Sequence, residues 1–217
     1  MDLKVQVSYF PLDQVRNEPY EEATFPFVLE GEFAYIVKFL FFNDSNGHEE
    51  LFNDWSLAGN QIPIHSLAEI YDFQQQEYEE LFKQYNIEFN YIKGSQKDTV
   101  FVKAVLQASE QFRSYYPYLY ANGCMMNVSL WSFNGDVFTI EEREHDVTHP
   151  ITPLVKLKWN ANTPIVTLTK SSTVFWVGHD GDFITGISNH PSFATIKDLQ
   201  GIMPSGIELV EEDDEWD

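Results

Sequence analysis

Cysteine, positive charge, phosphate-cradling glycine loops and long apolar runs are all scarce in this sequence. A single cysteine, Cys124, among 217 residues excludes an internal disulfide framework and a cysteine-rich zinc site. Thirteen Lys and Arg stand against thirty-four Asp and Glu, a formal charge of −21. That balance argues against direct binding of nucleic-acid phosphates or of a membrane surface rich in anionic lipid. The longest apolar-leaning run, residues 33–42, is interrupted by Lys38 and is far shorter than the ~20 residues that span a bilayer. The first ten residues alternate polar and apolar, so no secretory signal is expected there. Together with the lone cysteine this predicts a cytoplasmic protein. The eleven glycines are dispersed among turns. They form no P-loop, dinucleotide fingerprint or nucleophile elbow, so no cofactor is expected.

What is present is apolar and aromatic. Hydrophobic residues make up 43% of the chain and aromatics 16%, enough for a sizeable core. The expectation is one α+β domain over residues 1–210 with an acidic tail at 211–217; the alternative is a subdomain split near residues 88–97. The fold class predicted is a mixed or mostly antiparallel sheet with two central long helices and a short C-terminal helix. Leu3, Val5, Val7 and Tyr9 alternate with polar residues, as a half-buried strand requires. Residues 24–29 and 33–42 read as further strands, and residues 43–47 as a turn. Ser66 and Glu69 form a capping box, and the spacing of Leu67, Ile70, Tyr78, Leu81, Phe82 and Tyr85 predicts a helix over 66–86. Asp98 would cap a second helix carrying Phe101, Val105, Phe112 and Tyr115 and stopped by Pro117. Beyond it, Asn134-Gly135 and Asp180-Gly181 each predict a β-hairpin, a weak internal likeness that turn chemistry alone explains. Ser192 would cap a last short helix ending at Gly201.

The acidity is uneven. Residues 1–90 carry −13, residues 91–170 carry +1 and residues 171–217 carry −9. The two acidic ends could meet as one face, and such a face would attract a basic protein. Glu77, Glu79 and Glu80 lie off the apolar stripe of the first predicted helix. Glu211, Glu212, Asp213, Asp214 and Glu215 form an acidic run near the end. Tyr116 and Tyr118, in a segment with four tyrosines in six positions, are candidate aromatic anchors for the same partner.

Enzymatic readings start from His145, His149, His179, Asp180 and Asp182. His145 and His149 are spaced to share a helical face, as metal sites often require. However, Val147, Thr148 and Pro150 argue for strand or loop there. A calcium loop counted from Asp180 fails, because its twelfth position is Pro191. Cys124 has no neighbouring cation to lower its pKa.

The favoured reading is a non-enzymatic protein that neutralises a basic partner. In profile (small, acidic, aromatic-rich, without catalytic motifs) the chain resembles the immunity proteins of bacterial toxin systems. That resemblance implies a toxin, such as a nuclease, as partner. Residues 78–86 also resemble a helix of the Smi1/Knr4-like immunity superfamily, but lack its preceding Leu-Pro and following Gly-Gly. The alternatives are a phage-type phosphate mimic that blocks a DNA-binding or defence enzyme, a metal-dependent hydrolase using His145, His149, His179 and Asp180, and a carbohydrate- or peptide-binding module built on the tyrosine-rich segment.

Overall fold

Alternation at the centre of the first strand sets the plan of the molecule: Val5 and Val7 are fully buried, while Gln6 and Ser8 are half-buried and Lys4 is exposed. The structure is a computed structural model and describes residues 3–17, 22–41, 47–58, 61–125, 128–133, 135–148, 156–169 and 171–211. Along the chain run β1 (Leu3–Tyr9), β2 (Val28–Gly31), β3 (Tyr35–Leu40), α1 (Gly47–Ala58), β4 (Ile64–Tyr71), α2 (Gln75–Gln84), β5 (Glu88–Lys93) and β6 (Thr99–Leu106). There follow α3 (Ser109–Cys124), β7 (Ser129–Ser132), β8 (Phe138–Thr148), β9 (Lys156–Leu168), β10 (Thr173–Val177), β11 (Phe183–Ser188), α4 (Ile196–Gln200) and β12 (Ile207–Glu211).

Nine strands form one sheet in the order β12-β1-β3-β11-β10-β7-β4-β6-β5. Every neighbouring pair is antiparallel except β1 with β12, which run parallel. Strands β2, β9 and β8 form a second, three-stranded sheet. The molecule is therefore layered. One face of the large sheet packs against the helices through Phe39, Trp131, Phe175, Phe52, Trp55 and Tyr116; the other packs against the small sheet through Leu67, Phe101, Leu130, Phe138 and Val166. The aromatic richness is spent mainly here: the Phe52 ring lies 5.1 Å from Trp131 and 5.0 Å from Phe175. Lys38, the one charge in β3, is accommodated between the rings of Phe10 and Phe183 at 5.3 and 4.9 Å. No helix of the described residues is long and apolar enough to cross a membrane.

The two central long helices are overturned. The protein is sheet-rich, and both predicted helices begin with a strand. Residues 64–71 form β4, in which every residue from Ser66 to Ile70 is buried. A strand covered on both faces is a continuous apolar run, and such a run satisfies helical spacing by accident. Only residues 75–84 of the predicted 66–86 are α-helical. Likewise Phe101 and Val105 belong to β6, and the helix starts at Ser109. Its start is closed by Gln111, whose side-chain oxygen accepts the Gln107 and Ala108 N–H groups. Pro117 lies inside α3 rather than ending it. The Asn134-Gly135 hairpin is also corrected, since β7 pairs with β4 and β10 while β8 pairs with β9. The chain crosses between sheets at Gly135, which adopts φ +125° (Asn134 lies outside the described residues). The Asp180-Gly181 turn does join a hairpin, β10 to β11. Residues 43–46, read as a turn, lie outside the described residues, and the cap of α4 is Thr195 in place of Ser192.

Candidate partner-binding surface

Helix α2 forms because Tyr78, Leu81 and Phe82 recur at helical spacing and bury against the large sheet. Its Phe82 ring lies 4.7 Å from Phe89 of β5, and the Tyr91 hydroxyl of β5 donates to the Gln75 carbonyl at 3.2 Å. The helix thus covers the β5–β6 edge and turns its acidic face outwards.

The entry to α2 is a tight 3-10 turn, Asp72–Gln74. The Tyr71 N–H donates to Gln74 Oε1 at 2.9 Å and the Asp72 N–H to the Asp98 carbonyl at 3.0 Å. This fixed turn presents Phe73 with 82% of its surface exposed, its ring stacked on Tyr71 at 5.5 Å and 8°. Beside it, α2 and α3 enclose an open cleft of about 310 Å³ lined by Gln74, Glu77, Tyr78, Pro117, Tyr118 and Met125. The Tyr78 and Tyr118 rings meet edge to face at 5.5 Å. Partial burial, then the adjacent Glu77 carboxylate by its charge and its hydrogen bond, push the Tyr118 hydroxyl pKa up. Asp72, Glu77 and Glu80 are exposed, and no cation among the described residues pairs with them. The arrangement can stack an aliphatic or planar cationic side chain on apolar walls and meet its charge with a carboxylate.

The residues singled out from sequence separate into groups. Glu77 and Tyr118 are brought together in this cleft. Glu79 is paired with Lys83 at 2.8 Å, and Glu80 accepts from Gln76 at 2.9 Å. Tyr116 is fully buried, its hydroxyl 3.0 Å from His48 Nδ1; burial raises its pKa well above the ordinary tyrosine value. Its ring is a core element, out of reach of a partner. Glu211 ends β12, at the edge of the large sheet opposite α2. Eight strand spacings of ~4.8 Å put roughly 35–40 Å between those edges, so Glu211 and the α2 carboxylates do not share one patch. Glu212, Asp213, Asp214 and Glu215 lie outside the described residues.

The histidine and aspartate groups are dispersed as well. His145 sits in β8 of the small sheet, its Nε2 2.7 Å from Thr163 Oγ1. His179, Asp180 and Asp182 belong to the β10–β11 turn of the large sheet, with Asp180 at φ 57°. His149 lies outside the described residues. Among the described residues no three His, Cys, Asp or Glu side chains are grouped to hold a metal ion. Burial raises the Cys124 thiol pKa, and Asp180 and Asp182 add to the rise against the opposing Tyr120 hydrogen bond.

Sequence reasoning passed over Phe73, although a signal was there: it lies between Asp72 and Gln74-Gln75-Gln76, off the Tyr78/Leu81/Phe82 stripe. It also passed over α1, whose His48, Leu51, Phe52 and Trp55 keep helical spacing and are all buried. A larger cleft of about 440 Å³, walled by Trp55, Phe133, Phe175 and Phe193 and edged by His190, has no carboxylate among the described residues of its lining with which to select a cation. Comparison with known protein families, with curated proteins and with solved structures finds no match to this chain.

Proposed function

We propose that the protein is a non-enzymatic binder of a basic protein, of the immunity or antitoxin type and acting in the cytoplasm, and that it engages its partner through the α2 surface. The supporting observation is the pairing of an 82%-exposed phenylalanine with a carboxylate-bearing aromatic cleft beside it. An exposed ring on a fixed turn loses little conformational entropy on docking, and a neighbouring carboxylate selects Arg or Lys. Asp72, Glu77 and Glu80 supply uncompensated negative charge around that anchor, and the formal charge of −21 steers cationic partners from a distance.

The test is affinity capture from the native host with wild-type protein and a Phe73→Ala/Glu77→Gln/Glu80→Gln variant. The reading expects a basic protein retained at low salt, released at high salt and lost by the variant, because salt screens exposed charge pairs. Equal capture by the variant, or no basic protein at low salt, overturns it.

A further inference from the structure

The cleft beside Phe73 is more selective than its charge alone. α2 and α3 run antiparallel, since Gln111 at the start of α3 donates to the Tyr85 and Asn86 carbonyls just beyond the end of α2. The first turn of α2 therefore meets the last turns of α3, and their opposed dipole ends leave the sign of the site to its side chains. Glu77 is the one ionised side chain among the described residues of the lining. Of the cations on the two helices, Lys83 is taken by Glu79, and Arg113 lies a turn before Pro117, outside the described lining.

The polar groups of the lining are mostly acceptors. The Tyr118 hydroxyl donates to the Glu77 carboxylate, and the Tyr78 hydroxyl donates to the Tyr118 carbonyl at 3.5 Å. Each phenol oxygen keeps the capacity to accept. Both amide hydrogens of Asn122 are committed, to the Glu69 and Val128 carbonyls at 2.9 and 3.2 Å. Gln74 Oε1 accepts the Tyr71 N–H at 2.9 Å, and the Gln74 amide nitrogen is the one uncommitted side-chain donor of the described lining. Around these groups Pro117, Met125 and the edge-to-face tyrosine pair supply apolar walls.

Resting on the α2 reading above, we propose that this cleft takes an arginine side chain of the basic partner, its guanidinium paired with Glu77 and lying against the tyrosine wall. A guanidinium brings five N–H donors in one plane, which suits a carboxylate and two phenol oxygens beside aromatic rings. A lysine ammonium is compact and strongly hydrated and has no flat face to stack. A second copy of this chain is a poor occupant, because Asp72, Glu77 and Glu80 on the rim would face a molecule that itself carries −21.

Methyl-labelled methionine gives four NMR probes in this chain, of which Met125 lines the cleft and Met203 lines the larger one. The ligands added are the blocked tripeptides Gly-Arg-Gly and Gly-Lys-Gly and free L-arginine. The arginine tripeptide shifts the Met125 methyl with a Kd of about 10 mM or below and leaves Met203 in place, and the lysine tripeptide binds roughly fivefold or more weaker. Glu77→Gln weakens the arginine tripeptide by roughly fivefold or more, and Tyr118→Phe, which keeps the ring, weakens it less than Tyr118→Ala. Glu208→Gln, which removes a charge at the far sheet edge, leaves it unchanged. An unmoved Met125 methyl at about 50 mM overturns the site. So does equal binding of the lysine tripeptide, or undiminished affinity in Glu77→Gln at the wild-type melting temperature. Tighter binding of free L-arginine than of the tripeptide overturns the protein-borne source. Capture and peptide binding fail separately: a basic protein captured through α2 without arginine preference removes this inference alone, and arginine preference without capture removes the α2 reading.

Discussion

The Glu69 carboxylate of β4 accepts the Thr99 hydroxyl of β6 at 2.6 Å, across an antiparallel strand pair. Removing the acceptor leaves the Thr99 hydroxyl and the Ser95 N–H without it. Glu69→Ala is expected to lose about 2–4 kcal/mol and Glu69→Gln, which keeps one oxygen, about half as much. Urea denaturation monitored by tryptophan fluorescence checks the order; equal, negligible losses in both would mean that the β5–β6 turn stands without the carboxylate.

Gly123 sits in the last turn of α3 against β10. In an open helix, Gly→Ala gains up to about 1 kcal/mol. Here the added Cβ runs into the Val177 side chain, with Cγ1 at 2.6 Å, and the branch point of a buried valine cannot swing aside. Gly123→Ala is therefore expected to destabilise by about 1–3 kcal/mol. A melting temperature above wild type would refute the clash.

Tyr116 packs against Phe52, Phe112 and Trp131 and bonds to His48. Tyr116→Phe keeps the ring and loses one buried hydrogen bond, for about 1 kcal/mol. Tyr116→Ala opens a cavity and costs about 3–5 kcal/mol. Chemical denaturation of the pair separates the two contributions, and a Phe variant as unstable as the Ala variant would contradict the assignment.

Burial lowers the pKa of His65 below 6.5, and Lys103 adds to the fall against the opposing pull of Asp136. As pH falls through 6.5, the unfolded chain takes up a proton that the folded chain refuses until lower pH. Stability from this group is present above that range and declines below it. Thermal melts between about pH 7 and pH 5 should show a steeper decline for wild type than for His65→Gln. Parallel curves would exclude His65 as a contributor.

Part of the strand pattern was legible: in β1 exposure on one face leaves a period of two, whereas β10 and β11, buried along almost their whole length, were marked by the Asp180-Gly181 turn and the β-branched and aromatic residues of TVFWV. β4 lies between β7 and β6 in a sheet covered on both faces, and the unbroken burial from Ser66 to Ile70 erases the alternation that identifies a strand. β6, next to the edge strand β5, keeps its alternation from Val102 to Leu106; there the helical spacing of Phe101, Val105, Phe112 and Tyr115 ran across the boundary between β6 and α3. Asn134-Gly135 misled for a different reason: the local chemistry of a turn says nothing of which sheet the next strand joins. At the candidate site, the α2 carboxylates were legible as a polar helical face, whereas their separation from Glu211 depends on strand order, which no local pattern encodes. The burial of Tyr116 and exposure of Phe73 follow from how α2 and α3 dock, again a tertiary property.

The parallel pairing of β1 with β12 bears on synthesis. Among the described residues β1 has, apart from β12, only β3 as a neighbour, and β12 has only β1. Translation at about 5–20 residues per second separates the emergence of these two strands by roughly 10–40 s. For that interval the outer side of β1 is an open edge bearing unpaired amides, the kind of template on which chains pair wrongly. Completion of the nine-stranded sheet therefore waits for residues 207–211, which makes the final strand a seal on the folded state and gives nascent chains that stop short of it a reason to aggregate.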